Sequence, residues 1–153
     1  MLENEFNISK DHKAAIVSII TPSLEHHTTL NETNSSLNEL EKLLDTLGVP
    51  VKSRYTQNRK KLDPGTLIGS GKLKEIAQEM KDQEISLLVF DCELGPGQIK
   101  NIKNITGINV IDRCHVILEI FAEHARTREA KIQIELARLE YLLPRLSGFW
   151  THF

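Results

Sequence analysis

Cysteine is nearly absent: Cys92 and Cys114 are the two in 153 residues, and they lie far apart. That argues against a disulfide framework and against a cysteine-rich zinc site. Aromatic residues make up only 5%, too few for a platform on which single-stranded RNA would stack. No apolar run approaches the length of a membrane-spanning helix. The opening MLENEFNISKD also lacks the basic-then-apolar order of a secretion signal. A strong charge imbalance is missing too, the formal net charge being -2. That near-balance hides an uneven spread. Residues 1–50 carry three Lys/Arg against eight Asp/Glu, and residues 51–81 carry eight against three. The basic stretch suits a patch facing nucleic acid, and equally an average solvated surface. What is present, 40% hydrophobic and 26% charged residues, suffices for one domain with a core, or a small α/β domain with a helical appendage. A cytoplasmic protein is the expectation.

Taken in order, the chain reads as alternating strands and helices. Ala14 to Ile20, AAIVSII, is β-branched and apolar, a strand buried on both faces and stopped by Pro22. Residues 24–36 read as a loop. Its adjacent His26 and His27 have no carboxylate or cysteine at ligand spacing, so they point to surface rather than metal. A helix capped by Asn34 or Ser35 should follow, with Leu37, Leu40, Leu43, Leu44 and Leu47 on one face and Gly48 at its end. Val49–Gln57 suits a second strand, and Ile85–Phe90 a central third, apolar nearly throughout. Gly95-Pro96-Gly97 opens a helix through Ile99, Ile102 and Ile105 that Gly107 closes, and Asn109–Ile111 makes a last short strand. Strand, helix, strand repeated in this way predicts a small, mostly parallel four-stranded sheet flanked by helices.

Leu67 to Lys74, LIGSGKLK, imitates a phosphate-binding loop. That motif needs Gly, four residues, then Gly-Lys-Ser/Thr. Counting back from Gly71-Lys72, the first glycine position holds Thr66, and the hydroxyl position holds Leu73. A flexible turn opening a helix over Lys72–Gln83 is the simpler reading. Gly69, Gly71 and Lys72 remain a weak phosphate candidate, because a helix start presents free amides. Asp91 and Glu93 end the third strand, where α/β proteins place function. They suit magnesium or, more simply, a helix cap.

The last quarter orders the rest. From Cys114 to Ala125, Ile117, Ile120, Phe121 and His124 recur at helical spacing, with Glu119 and Glu123 turned away. From Glu129 to Leu143, a second stripe runs through Ile132, Leu136, Leu139 and Leu143. Thr127 is placed to cap the second helix. The pattern predicts a long antiparallel helical hairpin, with one helix bent at Thr127 as the competing reading. Its turn carries Arg126, Thr127 and Arg128 with Lys131 behind, a basic tip suited to phosphates, or a solvated turn paired with Glu123 and Glu129. Pro144 should kink or end the second helix. The expected division is an α/β subdomain over 1–112 and a helical subdomain over 113–153.

Several segments, LIGSGKLKEI, LLVFDCELGPGQIKNI, VIDRCHVILEIFAEHARTREAKIQIELARLEYLLPRL and GFWTHF, resemble the N-terminal region of the HflX family of ribosome-associated GTPases. The resemblance runs from about residue 35 to the end and is dense through the last seventy residues. It implies a GTP-hydrolysing whole protein that uses magnesium and dissociates or rescues ribosomes. It further implies a chain ending before the family's Gly-rich linker and GTPase domain, and so a fragment or truncated product with no GTP or Mg2+ site of its own. The implied partners are the large ribosomal subunit, with rRNA near the peptidyl transferase centre, and the protein's own C-terminal GTPase domain. Arg126, Thr127, Arg128 and Lys131 are the implied RNA-binding residues. A dimer of the isolated chain and peripheral attachment to a membrane stay open. An adenine-nucleotide activity associated with the family's N-terminal region finds no physical account in the broken loop at Thr66–Leu73. Two readings of other classes remain: a small nucleotide- or metal-dependent enzyme around Gly69, Asp91 and Glu93, and a purely structural module that buries its helical stripe on a neighbour.

Overall fold

The computed structural model describes residues 8, 12–21, 30–59 and 61–145. Pro22, His26, His27, Phe149 and Trp150 lie outside them. The elements are β1 (Ala14–Ile20), α1 (Leu30–Thr46), β2 (Val51–Asn58), α2 (Ser70–Asp82), β3 (Leu87–Phe90), α3 (Pro96–Thr106), β4 (Asn109–Asp112), α4 (Arg113–His124) and α5 (Arg128–Arg145). The four strands form one parallel sheet in the order β2-β1-β3-β4. Ala14 pairs with both Val51 and Leu87, and Leu87 with Asn109, so all four carboxyl ends share one edge.

Alternation along the inner strands fills two cores. Ala15, Val17, Ile19, Leu88, Phe90 and Val110 face α2 and α3, meeting Leu73, Ile76, Met80 and Ile102. Ala14, Ile16, Leu87, Val89 and Ile111 face Leu37, Leu40, Leu44 and Leu47 of α1 and Val116 of α4. A strand with no polar face can only sit where both faces are covered, and β1 does. On β2 burial alternates residue by residue, as an edge strand with one wet face should show. Gly48 (φ 77°) and Gly107 (φ 68°) take the left-handed conformation that ends α1 and α3, which a side chain resists.

Two expectations need correction. The helix expected to start at Asn34 or Ser35 begins by Leu30, with fully buried Thr33 inside it; packing overrides the capping preference of Asn and Ser. Glu119, expected to point to water, is buried, whereas Phe121, Ile132, Leu136, Leu139 and Leu143 are 54%, 58%, 57%, 44% and 49% exposed. The apolar stripe of α5 exists but faces away from the rest of the described chain. Residues 113–145 form two helices rather than one bent helix, because Ala125 leaves helical geometry at φ -67° and ψ 126°.

Candidate functional site

The turn between α4 and α5 is built by Thr127. Its Oγ1 accepts from the Ala130 N–H at 3.1 Å, and its carbonyl accepts from the Lys131 N–H at 3.0 Å, so it caps α5 as its position suggested. Arg126, Thr127, Arg128 and Lys131 are all exposed. Among the described residues the three cations form no ion pair within 4 Å. Arg126, Arg128 and Lys131 line an open concavity of about 590 Å³, with Ile132 as an apolar patch and Glu135 as the one acid. Arg128 and Lys131 stand in the first turn of α5, where the helix dipole adds to their positive potential. Ile132, read from sequence as part of the apolar stripe, and Glu135 were not assigned to the tip. Their signal was spacing, four and seven residues beyond Arg128 and hence on the same helical face.

Behind the tip, the two helices are held by charge as much as by oil. Glu119 Oε1 accepts from Arg138 Nη2 at 2.8 Å and Nε at 2.9 Å, and His115 Nε2 lies 3.6 Å away. Burial alone would push the Glu119 carboxyl up. Hydrogen bonding from His115 and the charges of Arg138 and His115 outweigh it and hold the group below the usual carboxylate range. Further back, the His115 and Tyr141 rings meet at 6.1 Å. Arg145 lies 3.7 Å over the Tyr141 ring and donates to the Leu94 carbonyl at 2.7 Å. The root of α5 is thereby tied to the loop after β3.

The carboxyl edge of the sheet was the other candidate. Asp91 is 3% exposed and accepts from Arg113 Nη2 at 2.5 Å and from Ser18 at 3.3 Å. Arg113 also donates to the Ser36 carbonyl at 2.8 Å and reaches Glu39 at 3.2 Å. Asp91 is thus a buried strut between β3, β1 and the α1–α4 layer. Glu93 is exposed and lies 3.6 Å from Arg145. Burial first, then Asp91 and Asp112, push the Cys92 thiol up to about 11, which disfavours a reactive thiolate. Gly69 caps α2, but its N–H donates to Gln57 Oε1 at 3.2 Å and the Arg59 guanidinium crowds it. Leu67, Ile68 and Leu73 around it are core residues. Gly71 is exposed, while Lys72 lies 5.9 Å over the Tyr55 ring and 3.8 Å from Glu75. Among the described residues no group of three or more His, Cys, Asp or Glu is placed to hold a metal ion.

Residues 34–122 match the model of the GTP-binding GTPase N-terminal family, and residues 124–153 match that of the GTP-binding GTPase middle region. The chain belongs to the HflX family, as its similarity to curated members also shows. It is 44% identical over 140 residues to GTPase HflX of Flavobacterium psychrophilum, covering 92% of this chain and 33% of that protein. It is 42% identical over 116 residues to GTPase HflX of Escherichia coli, covering 76% and 27%. The chain therefore spans about a third of the length of these relatives. Among solved structures, a GTP-binding protein from the archaeon Sulfolobus solfataricus in complex with GDP is 33% identical with a TM-score of 0.59, covering 91% of this chain and 40% of that one. An SsGBP and GDP complex is 31% identical with a TM-score of 0.64, covering 89% and 37%.

Proposed function

We propose that this chain is the ribosome-binding N-terminal part of a GTP-hydrolysing protein that dissociates or rescues ribosomes. The α4–α5 turn would contact rRNA of the large subunit near the peptidyl transferase centre. One observation carries the reading: Arg126, Arg128 and Lys131 stand together, exposed, at a capped turn remote from the ties that root α5. A fixed cluster of cations around a concavity suits a phosphate backbone. The pairing of His115 with Tyr141 and of Glu119 with Arg138 supports an antiparallel hairpin, because one partner number rises as the other falls. GTP and Mg2+ would be bound by the C-terminal GTPase domain, as the family name of the relatives suggests, and a cytoplasmic location goes with the ribosomal partner.

The test is co-sedimentation of the chain with large ribosomal subunits over a salt series. Binding should be weak and fall with salt, and R126A/R128A should reduce both affinity and salt slope, by about one unit of slope per cation removed. Binding unchanged by the double substitution would remove the tip from the reading.

A second reading, a self-association or interdomain surface, is favoured by the exposed stripe Ile132, Leu136, Leu139 and Leu143. The enzyme reading is not supported by the carboxyl edge, where Asp91 is held by Arg113 and Gly69 is packed against Gln57 and Arg59.

A further inference from the structure

The concavity at the α4–α5 turn is lined by three cations and one acid, Glu135; Glu123 and Glu129 do not line it. Lys131, Glu135 and Arg138 are spaced by four and three residues, so they share one face of α5 with the carboxylate in the middle. Glu135 therefore has two basic neighbours within reach: Lys131 at the tip, and Arg138 towards the root. In the structure it accepts from Arg138 Nη1 at 3.0 Å, and among the described residues Lys131 forms no ion pair within 4 Å. We propose that Arg138 is a positioning residue for the basic tip. By drawing Glu135 towards the root, it keeps the one acid of the concavity from cancelling Lys131 and leaves the tip charged for a phosphate backbone. The proposal rests on the RNA reading of the tip and names what sets the charge of that site.

Burial decides which member of the pair is fixed. The Arg138 side chain is 11% exposed, and its Nη2 and Nε donate to Glu119 of α4 at 2.8 and 2.9 Å. The Glu135 side chain is 52% exposed and bonds only through Arg138 Nη1 among the contacts described here. The guanidinium is thus anchored across the helix pair, and the glutamate is the group that turns. Helical order agrees, since an acid placed before its basic partner is the better arrangement, and Lys131 before Glu135 is the reverse. Between two exposed pairs that preference is small. The anchoring of Arg138 on Glu119, with its charge-assisted bonds, makes the choice one-sided.

Two readouts on the 153-residue chain test this. The first needs no RNA: a water-soluble carbodiimide joins a carboxylate to a lysine amine in contact with it, and peptide mass spectrometry locates the amide. R138A should give the Glu135–Lys131 amide, the parent far less of it, and R138A/E135Q none. The second is co-sedimentation with large ribosomal subunits over a salt series. R138A should weaken binding about two- to threefold, the worth of one helical pair, and lower the salt slope by about one unit. E135Q should raise affinity more in the R138A background than in the parent. E119Q removes the charge between the helices but keeps an oxygen for Arg138 to donate to, and should leave the salt slope unchanged. Where melting shows R138A unfolded, R138M keeps a stem of similar length and takes its place. Absence of the Glu135–Lys131 amide in R138A would overturn the proposal. So would a loss of binding that E135Q does not relieve or that E119Q reproduces, since that marks a merely structural role. Binding that R126A/R128A leaves unchanged overturns the RNA reading instead, and the carbodiimide result still decides which cation holds Glu135.

Discussion

Glu119 shows how a charged residue comes to hold two helices together. Its carboxylate lies between Arg138 and His115, with only 11% of its side chain exposed. Removing one member strands the other in a low-dielectric contact, so Arg138→Ala should cost about 2 kcal/mol in urea denaturation. The pH dependence has a definite sign. The folded carboxyl lies below its ordinary value of 4.5, so the unfolded chain takes up the proton first. The stabilisation is present above about 4.5 and is lost as pH falls through the folded value. A Glu119→Gln variant should lose that part of the acid-limb slope, measured by melting at a series of pH values. Arg113 plays the matching part where α4 leaves the sheet. Tied to Asp91, Ser36 and Glu39 at once, it should cost about 3 kcal/mol when replaced by Ala, again read in urea.

Among the elements, α5 has its first turn capped by a single side chain, Thr127. Loss of the Thr127 hydroxyl leaves an N–H of the first turn without its acceptor. Thr127→Ala should therefore lower stability by about 1 kcal/mol and fray the turn that presents Arg126 and Arg128. The elements also show what sequence reasoning can reach. All four strands and both left-handed glycine stops were legible, because β-branched runs and C-terminal glycines act locally. The start of α1 was not: the helix runs back through buried Thr33 to Leu30, past the capping residues Asn34 and Ser35. The α5 stripe was legible as a stripe, but hydrophobic spacing does not say which chain covers it. The inversion at Glu119 was hidden too. An isolated acid looks like a solvent-facing residue until its guanidinium partner, nineteen positions on, is placed against it. At the candidate site, the basic residues and the Thr127 cap were readable; the contribution of Ile132 and Glu135 emerged only with the helix.

For the whole molecule, the division of labour is between a doubly covered sheet and a helix pair that carries charge at its turn. In the segment Leu67–Leu73, Leu67, Ile68 and Leu73 are core, with Leu73 where a magnesium-holding hydroxyl would sit and the Gly69 amide already engaged. The 153-residue chain should therefore show no GTP hydrolysis above buffer and no tight GTP binding by equilibrium dialysis. Turnover dependent on Lys72 would contradict this account of the loop. The clamp of Arg145 on the Leu94 carbonyl and the Tyr141 ring has a mechanical corollary. A load applied at the distal elbow is transmitted to the corner after β3 rather than absorbed by a swivel. The far end is thus held only as firmly as that guanidinium and the Glu119–Arg138 pair fix the lever to its mount.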